Sequence, residues 1–141
     1  MTWTRQIAAI LLPALAIAVA GCTARSPAIG SAPRSGVLEV RDGLASYYGQ
    51  GFHGRRTASG ARFDMRAMVA AHPSYPFGTL VRVTNLSNGR KAQVRILDRG
   101  PAPGPRAAGV VIDVSLGAAE TLGFVQEGRT RVRLEVLRWG K

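Results

Sequence analysis

The chain has 141 residues, a formal charge of +11, one cysteine and two histidines. That length holds one ordinary domain and its core, and a single thiol excludes an internal disulfide framework. Two histidines, His53 and His72, are too few for a zinc centre, so no metal and no other cofactor is expected.

The N-terminus carries Arg5, then an apolar run over residues 7–20 that closes on Val19-Ala20-Gly21-Cys22. The run is shorter than the roughly 20 apolar residues that a bilayer span needs. It fits the apolar region of a secretory signal with small residues before the cut. A small residue directly before cysteine resembles a bacterial lipoprotein signal, which implies cleavage before Cys22 and lipid on its sulfur and amine. Residue 23 is Thr rather than Asp, which implies the periplasmic face of the outer membrane. The expected organisation is a signal over residues 1–21, a lipidated cysteine and tether over 22–42, and a domain over 43–138. The Ser, Pro, Ala and Gly of the tether show no hydrophobic periodicity. An exported basic lipoprotein meets peptidoglycan carboxylates, anionic lipid headgroups and lipopolysaccharide phosphates, and a solvated basic surface with no specific partner stays open; the lipid on Cys22 makes a membrane an expected partner. Nucleic acid is not expected, and a monomer is.

Beyond the tether, short apolar runs alternate with Gly, Asn and Pro. Residues 79–84, 91–96 and 130–136 alternate with period two and read as half-buried strands. The first two flank a hairpin turn with Asn88-Gly89 at its tip. Residues 44–48, 68–71 and 110–114 are further strand candidates. Residues 115–122 form the best helix, with Ser115 as cap and Gly123 as stop. Many short strands with one short helix predict a small closed barrel.

Eight carboxylates bound the acid-base chemistry. Glu39 and Asp42 fall at the edge of the tether, and Glu120 and Glu127 on or just after the helix. Glu135 alternates with apolar neighbours and is expected to face water. Asp64, Asp98 and Asp113 remain as cleft candidates. Asp98 ends an apolar strand before Arg99-Gly100-Pro101, where partial desolvation would suit a general acid, although the residues alone read better as a structural aspartate that pairs with Arg99 or Arg95 or caps the Gly-Pro turn. Asp113 reads best as a buried turn or helix-cap acceptor. Asp64 suits a loop brace or a site role alike. His72, at a strand end before Pro73, could bind substrate, orient a carboxylate or be structural. Tyr47 and Tyr48 point to opposite faces of a strand, so one belongs to the core and the other can stack on a sugar.

Six segments stand in order: residues 43–49 (Gly-Leu-Ala-Ser-Tyr-Tyr-Gly), 57–60 (Thr-Ala-Ser-Gly), 70–72 (Ala-Ala-His), 81–86 (Val-Arg-Val-Thr-Asn-Leu), 98–101 (Asp-Arg-Gly-Pro) and 112–115 (Ile-Asp-Val-Ser). Together they resemble the rare lipoprotein A family. The resemblance implies a mainly β fold, a six-stranded double-psi β-barrel with one or two short helices. It also implies an endolytic lytic transglycosylase acting on peptidoglycan strands, which cleaves the MurNAc–GlcNAc bond and leaves a 1,6-anhydro end. Asp98 would be its general acid and base and His72 a catalytic groove residue. Tyr48, Thr57, Asp64, Asn85 and Arg99 would contact substrate, with Arg99 or another arginine on stem-peptide carboxylates.

Three departures stand against that pattern. Ala61 replaces a glutamate associated with activity, Leu97 replaces an asparagine beside the catalytic aspartate, and no C-terminal glycan-binding domain is expected after Lys141. Ala61 gives weight to an alternative, a non-catalytic, expansin-like lipoprotein that binds the wall or loosens it.

Overall fold

The computed structural model describes residues 36–141; the signal, Cys22 and residues 23–35 of the tether lie outside the described residues. Six strands form the domain: β1 (Glu39–Tyr48), β2 (Val69–Ala71), β3 (Leu80–Asn85), β4 (Lys91–Asp98), β5 (Val110–Ser115) and β6 (Thr130–Arg138). A short helix α1 (Pro103–Ala107) precedes β5, and α2 (Leu116–Leu122) follows it. The strands close into a barrel in the order β1-β5-β2-β4-β3-β6, with β6 returning to β1. The β1–β5 and β2–β4 pairs are parallel and the remainder antiparallel.

The period-two pattern sends one face of each strand inward. Val81 and Val83, Val94 and Ile96, Ile112 and Val114, and Val132, Leu134 and Val136 are all fully buried. Ala118, Ala119 and Leu122 of α2 join the same core together with Phe124. The helix has the ends read from the sequence. Ser115 Oγ accepts the Ala118 N–H at 3.2 Å, and Gly123 takes the left-handed conformation, φ 72°, that closes the last turn. Gly117 brings α2 directly onto the loop before β2, and its N–H donates to the Met65 carbonyl at 2.8 Å.

Two expectations are corrected. β1 begins at Glu39, because Leu38 N–H already donates to the Val136 carbonyl and Glu39 pairs with Val136, so Glu39 and Asp42 belong to the strand and not to the tether. Glu135 does lie on the outer side of β6, but it is only 5% exposed. Arg82, its neighbour on β3, lies across it with Nε 2.7 Å from Oε2. Alternation fixed the face, and a long neighbouring side chain took the water away.

A Cβ at residue 117 would collide with the Arg66 carbonyl. Gly117→Ala is therefore expected to lower stability by about 1–3 kcal/mol through overpacking, read as a shift in the urea unfolding midpoint.

Candidate active site

One lateral row of residues crosses four strands. Asp98 of β4 pairs with Ala71 of β2, Ala71 with Asp113 of β5, and Asp113 with Ser46 of β1. The two aspartates thus flank Ala71, two strand spacings or about 10 Å apart along the backbone. On β4 the register slips, so that Ala70 faces Ile96 while Ala71 faces Asp98, and Leu97 is the extra residue. A bulge of this kind re-aims the side chain that follows it. Both carboxyls line a cleft of about 220 Å³ together with Tyr48, Phe52, Gly100 and Ala102.

Asp98 is held by its neighbours. Its Oδ1 accepts the Ala58 N–H at 2.9 Å and its own neighbour's, Arg99, at 2.8 Å. The Ala58 donor comes from the loop that starts at Thr57, which is buried and not in the cleft. Thr57 braces that loop, with its N–H and Oγ1 both donating to the Ala61 carbonyl at 2.8 and 3.0 Å. Ser59 N–H then donates to the Leu97 carbonyl at 3.1 Å, laying the loop across the end of β4.

Asp113, read from sequence as a turn or cap acceptor, instead lines the cleft. Ser46 donates its hydroxyl proton to Asp113 Oδ1. Burial raises the Asp113 pKa above its ordinary value, partly offset by the Ser46 hydrogen bond and the charge of Arg129. A Cβ at residue 100 would stand 3.2 Å from Asp113 Oδ2, so a glycine there lets the backbone close over the carboxyl. Sequence alone could have found Asp113 only through the strand register.

The two tyrosines separate as expected. Tyr47 packs on Phe124 and donates to the Val125 carbonyl. Tyr48 enters the cleft, stacked on Phe63 with centroids 4.2 Å apart. Its Oη is buried with no hydrogen-bond partner among the described residues. Burial, then the charges of Asp98 and Asp113, push its pKa well above the ordinary phenol range, so it keeps a proton to donate. Phe52, which the sequence reading passed over, is half exposed at the cleft wall, edge-on to Tyr48 at 5.6 Å. Only its position four residues after Tyr48 in a polar loop hinted at it.

The remaining candidates stand apart from the cleft lining or are committed elsewhere. His72 is fully buried, its Nδ1 accepting the Ser74 and Tyr75 N–H groups at 3.2 and 3.0 Å and its ring stacked on Tyr75. Asp64 is exposed and caps its own loop through the Arg66 N–H. Asn85 is buried, donating to the Leu122 carbonyl and accepting from Ser87 N–H and the Thr130 hydroxyl. Arg99 borders the cleft, but its guanidinium donates to the Tyr75 carbonyl at 2.9 Å and lies over the Phe77 ring at 3.9 Å.

The family model for lytic transglycolases matches residues 40–134, the whole barrel apart from its two ends. The chain belongs to that family. A probable endolytic peptidoglycan transglycosylase RlpA of Synechocystis is 50% identical over 101 residues, covering 72% of this chain and 30% of the relative. The endolytic peptidoglycan transglycosylase RlpA of Neisseria meningitidis is 48% identical over 104 residues, covering 73% of this chain and 42% of the relative. The chain thus spans about a third of the length of the curated relatives it matches. Among solved structures, a Streptomyces papain inhibitor superposes with TM-score 0.57 at 22% identity, over 72% of this chain and 97% of that one. The expansin of Clavibacter michiganensis superposes with TM-score 0.56 at 21% identity, over 73% and 52%. These likenesses identify the fold as the double-psi β-barrel.

Burial, and then the charges of Arg41 and Arg99, lower the His72 pKa from 6.5 to about 4. Protonation would also set a proton on Nδ1 against two N–H donors. The unfolded chain binds this proton below pH 6.5 and the folded one only near 4, so stability falls as pH drops through that window. The expected loss is up to about 3 kcal/mol by pH 4 relative to His72→Gln, measured by urea unfolding at a series of pH values. An unchanged difference between the two proteins from pH 7 to 4 would show that the imidazole titrates freely.

Proposed function

We propose that this domain is an endolytic lytic transglycosylase of peptidoglycan in which Asp98 and Asp113 share the acid-base work. The observation that carries the reading is the row in which one desolvated carboxyl and one oriented by backbone N–H groups flank Ala71 in a single cleft. Identity near 50% to relatives named endolytic peptidoglycan transglycosylase covers this same domain and supports the substrate.

In the proposed reaction the C6 hydroxyl of a MurNAc attacks its own C1 as the C1–O4 bond to GlcNAc breaks. Asp98 takes the hydroxyl proton, and Asp113, whose burial favours the protonated form, gives one to the leaving O4. The bonds balance without water, and the proton left on Asp98 returns to Asp113 through solvent before the next turnover. The nucleophile is tethered to the reacting carbon, which supplies the effective concentration that a hydrolase must obtain by positioning water. Tyr48 contributes an unspent O–H donor, and the exposed ring of Phe52 offers a platform for a pyranose face. Ala61 then lacks no proton carrier, because Asp113 fills that role.

The apolar run ending at Cys22 supports a place at the periplasmic face of the outer membrane, held by lipid. A monomer suffices, since both carboxyls come from one chain.

The test is mass spectrometry of purified peptidoglycan treated with the protein, scoring 1,6-anhydro ends. Asp98→Asn and Asp113→Asn are each expected to reduce these products by about 10²–10⁴-fold. Loss in Asp98→Asn alone would return the reaction to a single acid-base carboxyl. Saturable binding with no products would favour the expansin-like alternative, and a gain of products in Ala61→Glu would mark the groove as a weakened enzyme.

Phe52→Ala removes the aromatic wall but no titrating group. It is expected to raise KM by about five- to tenfold with kcat little changed, in steady-state assays on soluble strands.

A further inference from the structure

Six large apolar side chains stand exposed among the described residues, and three of them, Leu38, Val40 and Trp139, gather where β1 begins and β6 ends. Val40 lies opposite Glu135 on the outer side of the sheet, and Leu38, two residues earlier, shares that side. Trp139 packs at right angles to Tyr75, with centroids 5.2 Å apart. The Tyr75 hydroxyl donates to Glu39 Oε1 at 2.6 Å, which ties the indole to the start of β1. The carboxyls at this end are answered: Arg41 lies 3.7 Å from Glu39, and Arg133 holds Asp42 through two hydrogen bonds. Arg138 and Lys141 are exposed, and their side chains make no hydrogen bond or ion pair with the described residues.

The same end of the barrel receives the chain from Cys22. Residues 23–36 contain Arg25 and Arg34 and no acid. The stretch from Cys22 to Leu38 reaches roughly 20–25 Å as a coil. A surface tethered that closely to a lipid anchor meets the leaflet at high effective concentration. Its chemistry matches a bilayer surface. Aliphatic side chains enter the acyl boundary, an indole suits the headgroup level, and cations are drawn to anionic lipid. It does not match a second copy of the chain, because a stable protein interface takes about 20–30 residues a side.

We propose that this end of the barrel rests on an anionic phospholipid surface, with Leu38 and Val40 in the acyl boundary, Trp139 at headgroup level, and Arg138 and Lys141 on lipid phosphates. The proposal rests on the reading that lipid on Cys22 holds the chain at a membrane. It gives the anchored domain a fixed orientation. Tyr48, at the other end of β1, lies roughly 30 Å along the strand from Glu39, so its wall of the cleft stays clear of the docked residues.

The test uses the chain purified from membranes with Trp3→Phe, which leaves Trp139 as its one tryptophan. It is reconstituted on vesicles of phosphatidylcholine, with or without phosphatidylglycerol, and with brominated acyl chains as quencher. Trp139 emission is expected to shift to shorter wavelength and to be quenched, more strongly where phosphatidylglycerol is present. Leu38→Glu combined with Val40→Glu is expected to abolish the quenching while the protein still floats with the vesicles. Arg138→Gln is expected to lower the docked-to-undocked ratio read from quenching about fivefold, and added salt to lower it further. Urea midpoints of the variants check that the barrel is intact. Unquenched Trp139 in a protein that floats with vesicles overturns the proposal and leaves lipid anchoring standing. Quenching that survives in the Leu38 and Val40 double variant also overturns it. A shifted emission that brominated lipid does not quench would put the tether or a second copy on the patch, and overturns it too. Floating that survives Cys22→Ser but is lost on adding the double variant would sink the anchoring reading and leave this face standing.

Discussion

Ala71 is the point on which the cleft depends. It is a residue of the shortest strand, and it pairs on one side with Asp98 and on the other with Asp113. Each aspartate comes from a different part of the chain, and neither would face the other without β2 between them. A buried methyl there leaves room between the carboxyls, with Gly100 also packed against it. The hydrogen bonds around the site reinforce this pairing. Ser46 fixes one carboxyl from β1, and the loop after Thr57 fixes the other from outside the barrel.

The division of labour among polar residues follows from burial. Asn85 and Thr57 are nearly or fully buried and bond to backbone groups, as buried polar atoms must to offset their desolvation, whereas buried His72 is satisfied at Nδ1 only and its Nε2 has no partner among the described residues. Within the cleft, Tyr48 has a hydroxyl removed from water and no partner for it among the described residues. An unsatisfied donor of this kind costs on the order of 1–3 kcal/mol, which a ligand oxygen would recover on binding. Unsatisfied donors beside two carboxyls are the signature expected of a site organised before its substrate arrives.

The barrel was largely legible in the chain. Alternation located β3, β4 and β6, and Ser115 and Gly123 bracketed α2, because these signals are local. The site was legible only where its members end a strand, as Asp98 does. Asp113 sits inside an apolar run, where a lone acid reads as structural; only its pairing across β2 exposes it to the cleft. His72 and Asn85 carry polar atoms at suggestive places in the motifs, yet long-range packing closed over both. The covering of Glu135 by Arg82 was hidden for the same reason, since β3 and β6 are distant in sequence. The N-terminal signal and tether are read from the sequence alone.

Closure of the barrel has a consequence for crowding. Each of the six strands is flanked on both sides by another, so the described domain offers no open sheet edge. Open edges are templates on which neighbouring copies add strand to strand. A protein without them can be gathered at high local density on a surface and remain a set of separate, freely turning molecules, each with its cleft still open to a polymer strand.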